Sequence, residues 1–250
     1  MRRTLLLLLL LSAFPAALPA AAGETPAELI RLPEPAGLAR LVRPLGAVAP
    51  PLVVLLPDRL GEDGRSEPYV DSLLARGIAT LALGLGEDLE SPATPVEPAA
   101  APEALAPALD WARAAGFAPE ATGVLGFGLG GRAALAGAEG LPMAALYPGC
   151  RDLALPRSGP ALVMQGGDAA EGCAALDPPP RVILHLLPGA GHAWDAPGAI
   201  WPSPGPLLPD PAGGGLLRSR RDLTVTLIAA EAIADWFEAA LPVGARQVAR

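Results

Sequence analysis

Cysteine and histidine are both scarce in this 250-residue chain, which holds two of each. None of these four residues stands at metal-ligand spacing from another, so no metal site is expected. No cofactor is expected either. Positive charge is short as well: 18 basic residues face 26 acidic ones, for a formal net charge of −8. An acidic chain repels phosphate backbones and anionic headgroups, which makes nucleic acid and membrane surfaces poor partners. Past the N-terminus there is no apolar run of the ~20 residues that a bilayer span needs.

The one long apolar run opens the chain, in "MRRTLLLLLLLSAFPAALPAAAGE". Arg2 and Arg3 form a charged start, Leu5 to Leu11 an apolar centre, and Ala20-Ala21-Ala22 a small-residue cleavage site. That order predicts a secretory signal peptide over 1–22 and a single α/β domain over 23–250. Cleavage would remove Arg2 and Arg3 and take the net charge from −8 to −10. The expected location is outside the cytoplasm, in a bacterial periplasm. In an exported chain two cysteines read as one disulfide, against the alternative of two buried thiols. Cys150 and Cys173 both lie just past neighbouring predicted strands.

Downstream, short apolar runs alternate with helical patterns. "PPLVVLLP" and "TGVLGF" read as buried strands, and "IATLALGL", "MAALYP", "ALVMQG" and "VILHLLP" as further strands. Helices are predicted over 66–77, 102–116, 129–139 and 222–241, with Ser66 and Asp222 at N-caps and Gly77 and Gly116 at C-terminal stops. "ELIRL" and "LARLVRP" form a candidate antiparallel hairpin before them. The alternation predicts a mostly parallel, doubly wound sheet with helices on both faces. Such sheets hold ligands beyond the carboxyl ends of their strands. One long segment, 193–221, is rich in Pro and Gly and carries Trp194 and Trp201; it reads as a lid, a binding loop or disorder.

The stretch "GFGLGG" at 126–131 sits between a strand and a helix. Gly126, Gly128 and Gly131 match a dinucleotide-binding turn, whose acidic partner belongs ~20 residues on, at the next strand tip. "MAALYPGC" carries no acid there, which leaves a dinucleotide-binding protein as a remote alternative. The same turn matches a nucleophile elbow with glycine in place of the nucleophile, at Gly128. The partners of an elbow follow in the expected chain order: Asp168 after "ALVMQGG", and His192 in "LLPGAGHAWD". His185, in mid-strand, reads as a packed or edge residue.

On these residues the chain resembles the dienelactone hydrolase-like branch of the α/β-hydrolase superfamily, over about 48–240. "PDRLG" at 57–61 matches that branch's first catalytic loop, with Asp58 where it often has Glu and Pro57 where it often has His. "LYPGC" and "PGAGHAWDAP" resemble exported members, which implies a Cys150–Cys173 disulfide. The resemblance implies the α/β-hydrolase fold and a small ester or lactone-like ligand. It places a base at His192, its orienting acid at Asp168, and oxyanion donors at the backbone N–H groups of Arg59 and Leu129. With Gly128 at the nucleophile position, covalent acyl transfer has no attacking atom there. Two outcomes follow: a binding protein or pseudoenzyme, or a hydrolase in which the His192–Asp168 pair activates water.

Overall fold

The computed structural model describes residues 26–84, 100–169 and 172–242. The expected signal peptide lies outside the described residues. The chain opens with the antiparallel hairpin β1 (Ala27–Arg31) and β2 (Leu38–Val42), as its sequence predicted. Then come β3 (Leu52–Leu56), α1 (Glu67–Ala75), β4 (Ala79–Leu83), α2 (Ala100–Ala114), β5 (Thr122–Phe127), α3 (Leu129–Gly137), β6 (Met143–Leu146), β7 (Ala161–Gly166) and β8 (Val182–Leu187). A small hairpin of β9 (Leu207–Pro209) and β10 (Leu216–Arg218) precedes the last helix, α4 (Leu223–Ala240).

Eight strands form one sheet in the order β1-β2-β4-β3-β5-β6-β7-β8. From β4 across to β8 the pairing is parallel; at the other edge β1–β2 and β2–β4 pair antiparallel. Both faces are covered, and β3 shows how. Leu52, Val54 and Leu56 join the core under α2 and α3, with Leu105, Ala108, Ala133 and Ala134. Val53 and Leu55 join the opposite core, under α1 and α4, with Tyr69, Leu73, Ile233 and Phe237. Side chains alternate faces along a strand, so a strand buried on both sides reads as an unbroken apolar run.

The winding reverses at β3. The chain passes from β3 to β4 on one side, then returns to place β5 on the other. At such a switch point the two following connections diverge and leave a crevice at the carboxyl ends. The tips of β3 and β5 face each other there, and they deliver Asp58 and Gly128.

Local signals set the helix starts unevenly. Asp222 caps α4, its carboxylate accepting from the N–H groups of Thr224 and Val225 at 2.9 and 3.1 Å. Ser66 stands at the N-cap position of α1, but its hydroxyl does not cap; it donates to Glu62 at 3.0 Å instead. The 193–221 segment has its own order. It carries β9 and β10, and single parallel bridges tie His192 to Ser219 and Ile200 to Arg221. Trp194 is fully buried beneath it, whereas Trp201 remains half exposed. His185 lies exposed on β8, the edge strand. Among the described residues, no helix is long and apolar enough to cross a membrane.

Candidate active site

Gly128 forms the turn between β5 and α3, with φ +51° and ψ −112°. Positive φ is costly for residues with a Cβ. The neighbouring glycines serve close approach: a Cβ on Gly126 would lie 2.1 Å from the carbonyl oxygen of Gly130. A Cβ on Gly130 would lie 2.4 Å from the carbonyl oxygens of Leu56 and Pro57. These contacts press α3 against the tips of β3 and β5.

Beside Gly128 the space is taken. A Cβ built there would lie 2.3 Å from Asp58 Oδ1 and 2.6 Å from its Cγ. Asp58 Oδ1 accepts from the N–H of Arg59 at 2.7 Å and from the N–H of Leu129 at 3.1 Å. The two backbone donors expected to form an oxyanion hole thus converge on one point, and a carboxylate oxygen stands at it. Asp58 Oδ2 accepts from the Arg65 guanidinium at 3.1 Å. Asp58 is 1% exposed and Arg65 4%.

Arg65 is the hub of a buried polar cluster. It also pairs with Asp63 at 2.6 Å and donates to the Tyr147 hydroxyl at 3.3 Å. Tyr147 donates to Asp195 at 2.6 Å, and Tyr69 to the other oxygen of Asp195 at 2.7 Å. Trp194 Nε1 donates to the Tyr69 hydroxyl at 3.0 Å. Burial pushes the Asp195 carboxyl up to about 6, against the pull of Arg65 and both phenols. Burial also raises both phenols well above their ordinary value, so they remain neutral donors. Tyr147, whose ring packs on His192, and Ala193, which follows His192 in the chain, hold positive φ angles of 40° and 46°, unusual without glycine.

His192 is 3% exposed and packs edge-on against Tyr147, ring centroids 5.4 Å apart. Among the described residues, neither ring nitrogen has a hydrogen-bond partner. Burial depresses its pKa to about 4, although the Asp58 charge pulls the other way. The ring is therefore neutral at pH 7, free to donate at one nitrogen and accept at the other.

Asp168 stands two residues past β7, and its backbone N–H donates to the carbonyl of Ala190 at 3.1 Å. It shares a cavity with His192, but the two side chains are not bonded to each other. The Asp168 carboxylate is ion-paired with Arg220 instead. The cavity holds about 340 Å³ and is lined by His192, Asp168, Gln165, Arg151, Arg218 and Arg220, among others. Its wall includes Cys150, which forms a disulfide with Cys173. A larger hollow, of about 640 Å³, lies at the amino ends of β7 and β8 between prolines and two arginines. It has no acid, base or nucleophile, so the His192 cavity is the candidate site. Among the described residues no group of three or more His, Cys, Asp or Glu is placed to hold a metal ion.

Of the residues singled out in the sequence, the fold gathers Gly128, Arg59, Leu129, Asp168 and His192 at the carboxyl ends of the parallel strands. Arg65, Tyr147, Asp195 and Arg220 join them without having been singled out. "GEDGRSEP" gave no cue that one arginine would be buried, since two of its three partners, Asp58 and Tyr147, lie outside that stretch. Asp195 carried a faint cue: an acid three residues after His192, beside a tryptophan.

No family model and no curated protein sequence matches the chain. Solved structures do match. A dienelactone hydrolase from Anabaena variabilis is 21% identical, with a TM-score of 0.59 over 88% of this chain and 99% of that one. A dienelactone hydrolase-like promiscuous phosphotriesterase from metagenomic libraries is 18% identical, with a TM-score of 0.56 over 87% and 99%. The esterase domain of a Rhodothermus marinus protein is 15% identical, with a TM-score of 0.55 over 86% and 99%. The strand order, the switch point at β3 and these likenesses agree: this chain has the α/β-hydrolase fold, in the form taken by dienelactone hydrolase-like proteins.

Proposed function

We propose that this is an exported, small-molecule-binding derivative of the dienelactone hydrolase-like fold that has lost its covalent nucleophile. One observation carries the reading: the Asp58 carboxylate fills the space beside Gly128 and takes both backbone N–H donors. Covalent acyl transfer needs an attacking atom at the elbow and donors aimed at the developing oxyanion. Gly128 supplies no such atom. A carbonyl oxygen gaining negative charge would meet another anion where it needs donors. Loss of a triad nucleophile typically lowers turnover ~10⁶-fold.

The His192 cavity supports the binding half of the reading. At about 340 Å³ it is of the size that takes a small ligand. The fold neighbours include a dienelactone hydrolase, a phosphotriesterase and an esterase domain, which makes an ester or lactone-like molecule the first ligand class to try. Export is supported by the charged, apolar and small-residue order of residues 1–22 and by the disulfide, which suits an oxidising compartment such as a bacterial periplasm.

A second reading, hydrolysis by water activated at His192, draws on its neutral and unpartnered ring. Kinetics separate the two. The native protein is offered short-chain aryl esters and lactones beside His192→Ala, and is treated with a fluorophosphonate probe. The binding reading expects no label and no turnover above that of the variant, with thermal stabilisation by some of the compounds. Turnover that disappears in His192→Ala would establish the second reading in its place.

A further inference from the structure

We propose that Arg220 is a positioning residue that intercepts Asp168, holding it off His192, and that withdrawal of Arg220 lets Asp168 pair with the imidazole. Arg220 lies across the junction between them. Its backbone N–H donates to the His192 carbonyl at 2.9 Å. Its side chain runs over Gly191, where an added Cβ would lie 2.6 Å from Arg220 Cβ. Its guanidinium stacks on Trp201, 3.8 Å from the ring centroid, and pairs with the Asp168 carboxylate.

The backbone already brings acid and base together. Asp168 N–H is bonded to Ala190, two residues before His192, and a Cβ on Gly166 would lie 2.3 Å from the Gly191 carbonyl oxygen. The imidazole is buried with both nitrogens unpartnered, a costly arrangement for a polar group. Asp168 is half exposed, so its carboxylate has room to turn. The other groups acting on His192 are Asp58 beyond β3, Arg65 before α1, Tyr147 at the end of β6, and Asp210 after β9. None of them is hydrogen-bonded to it. A carboxylate on one ring nitrogen fixes the tautomer and makes the other nitrogen the basic one. Arg220 therefore decides whether His192 is an oriented base or an idle ring.

The test reads neither ligand nor turnover, so silence in the ester assays leaves it standing. The chain has two histidines, one exposed on β8, and their imidazole ¹⁵N signals are easily assigned by substitution of His185. In Arg220→Gln the His192 titration midpoint should rise by about 1–3 pH units and its ring should settle into one tautomer. Arg220→Lys, which keeps a cation on Asp168, should titrate as the native protein does. In Arg220→Gln with Asp168→Asn the rise should disappear. A midpoint unmoved in Arg220→Gln, or a rise that survives in the double variant, overturns the proposal. Asp168→Asn alone covers the case in which loss of Arg220 prevents folding. It should leave His192 within about half a pH unit, whereas a fall of a full unit or more would mean that acid and base are already paired.

Discussion

The Asp58 carboxylate stands where a side chain on Gly128 would stand, with 2.3 Å between Oδ1 and the Cβ position. One residue's lack of a side chain is thus the other's room. An unbranched loop acid at the tip of β3 reaches the backbone donors of the β5–α3 turn because nothing projects from that turn.

That relationship predicts strong coupling between the two positions. Gly128→Ala alone should lose about 1–3 kcal/mol from its positive φ, and more from displacing Asp58 out of its ion pair. In the Asp58→Ala background the same substitution should lose only the backbone part. Urea unfolding of the four proteins measures the cycle. Additive losses would mean that the two residues do not compete for the space.

Arg65 should be among the least replaceable residues of the chain. It is buried and bonded to Asp58, Asp63 and Tyr147. Removing one partner of a buried pair strands the other charge, typically at ~3–5 kcal/mol. Arg65→Leu should therefore lower the unfolding free energy by about that amount, measured by chemical denaturation. A loss within error of zero would show that Asp58 finds other partners or water.

Two buried groups give the stability curve opposing slopes in mild acid. His192 has a folded pKa of about 4 against an unfolded 6.5. Between those values the unfolded chain binds the proton and the native chain does not, so stability falls as pH drops from 6.5 to 4. Asp195 has a folded pKa of about 6 against 3.8. There the native chain binds the proton first, so stability rises as pH drops from 6 to 3.8. The native protein should show a shallow dependence across this window. His192→Gln should gain melting temperature relative to native as pH falls from 6.5 to 4.5, and Asp195→Asn should lose it. Parallel curves for all three proteins would contradict these assignments.

The disulfide closes a loop between residues 23 apart in sequence. Chain-entropy arguments give a loop of that length roughly 3 kcal/mol of stability. Cys150→Ala with Cys173→Ala should lose about that much in urea unfolding, and dithiothreitol should have no further effect on the double variant. Cys150 also lines the His192 cavity, so the same variant should broaden the His192 imidazole signal.

The central strands β3 to β7 were legible in the sequence because parallel strands buried on both faces must be apolar throughout, whereas β8 is an exposed edge strand that its apolar run alone revealed. Each of the six runs read as strands forms one, and the candidate hairpin forms β1 and β2. The four helices start and stop within a few residues of their predicted ends. Ser66 shows the limit of that reading: the cap position is correct, but its hydroxyl is claimed by Glu62, a competition that spacing does not reveal.

At the site, periodicity and motif spacing located the turn at Gly128 and put Asp168 and His192 at strand ends, because chain order along a parallel sheet becomes order in space. Which side chains pair there was decided only by the tertiary structure. Asp58 is bound to Leu129, 71 residues away, and Arg65 to Tyr147, 82 away. Asp168 pairs with Arg220, 52 residues away, and not with His192, only 24 away. The sequence alone determined where polar groups would gather. Their partners follow from competition among several charges for few donors in a buried space, and that competition exists only once the chain is folded.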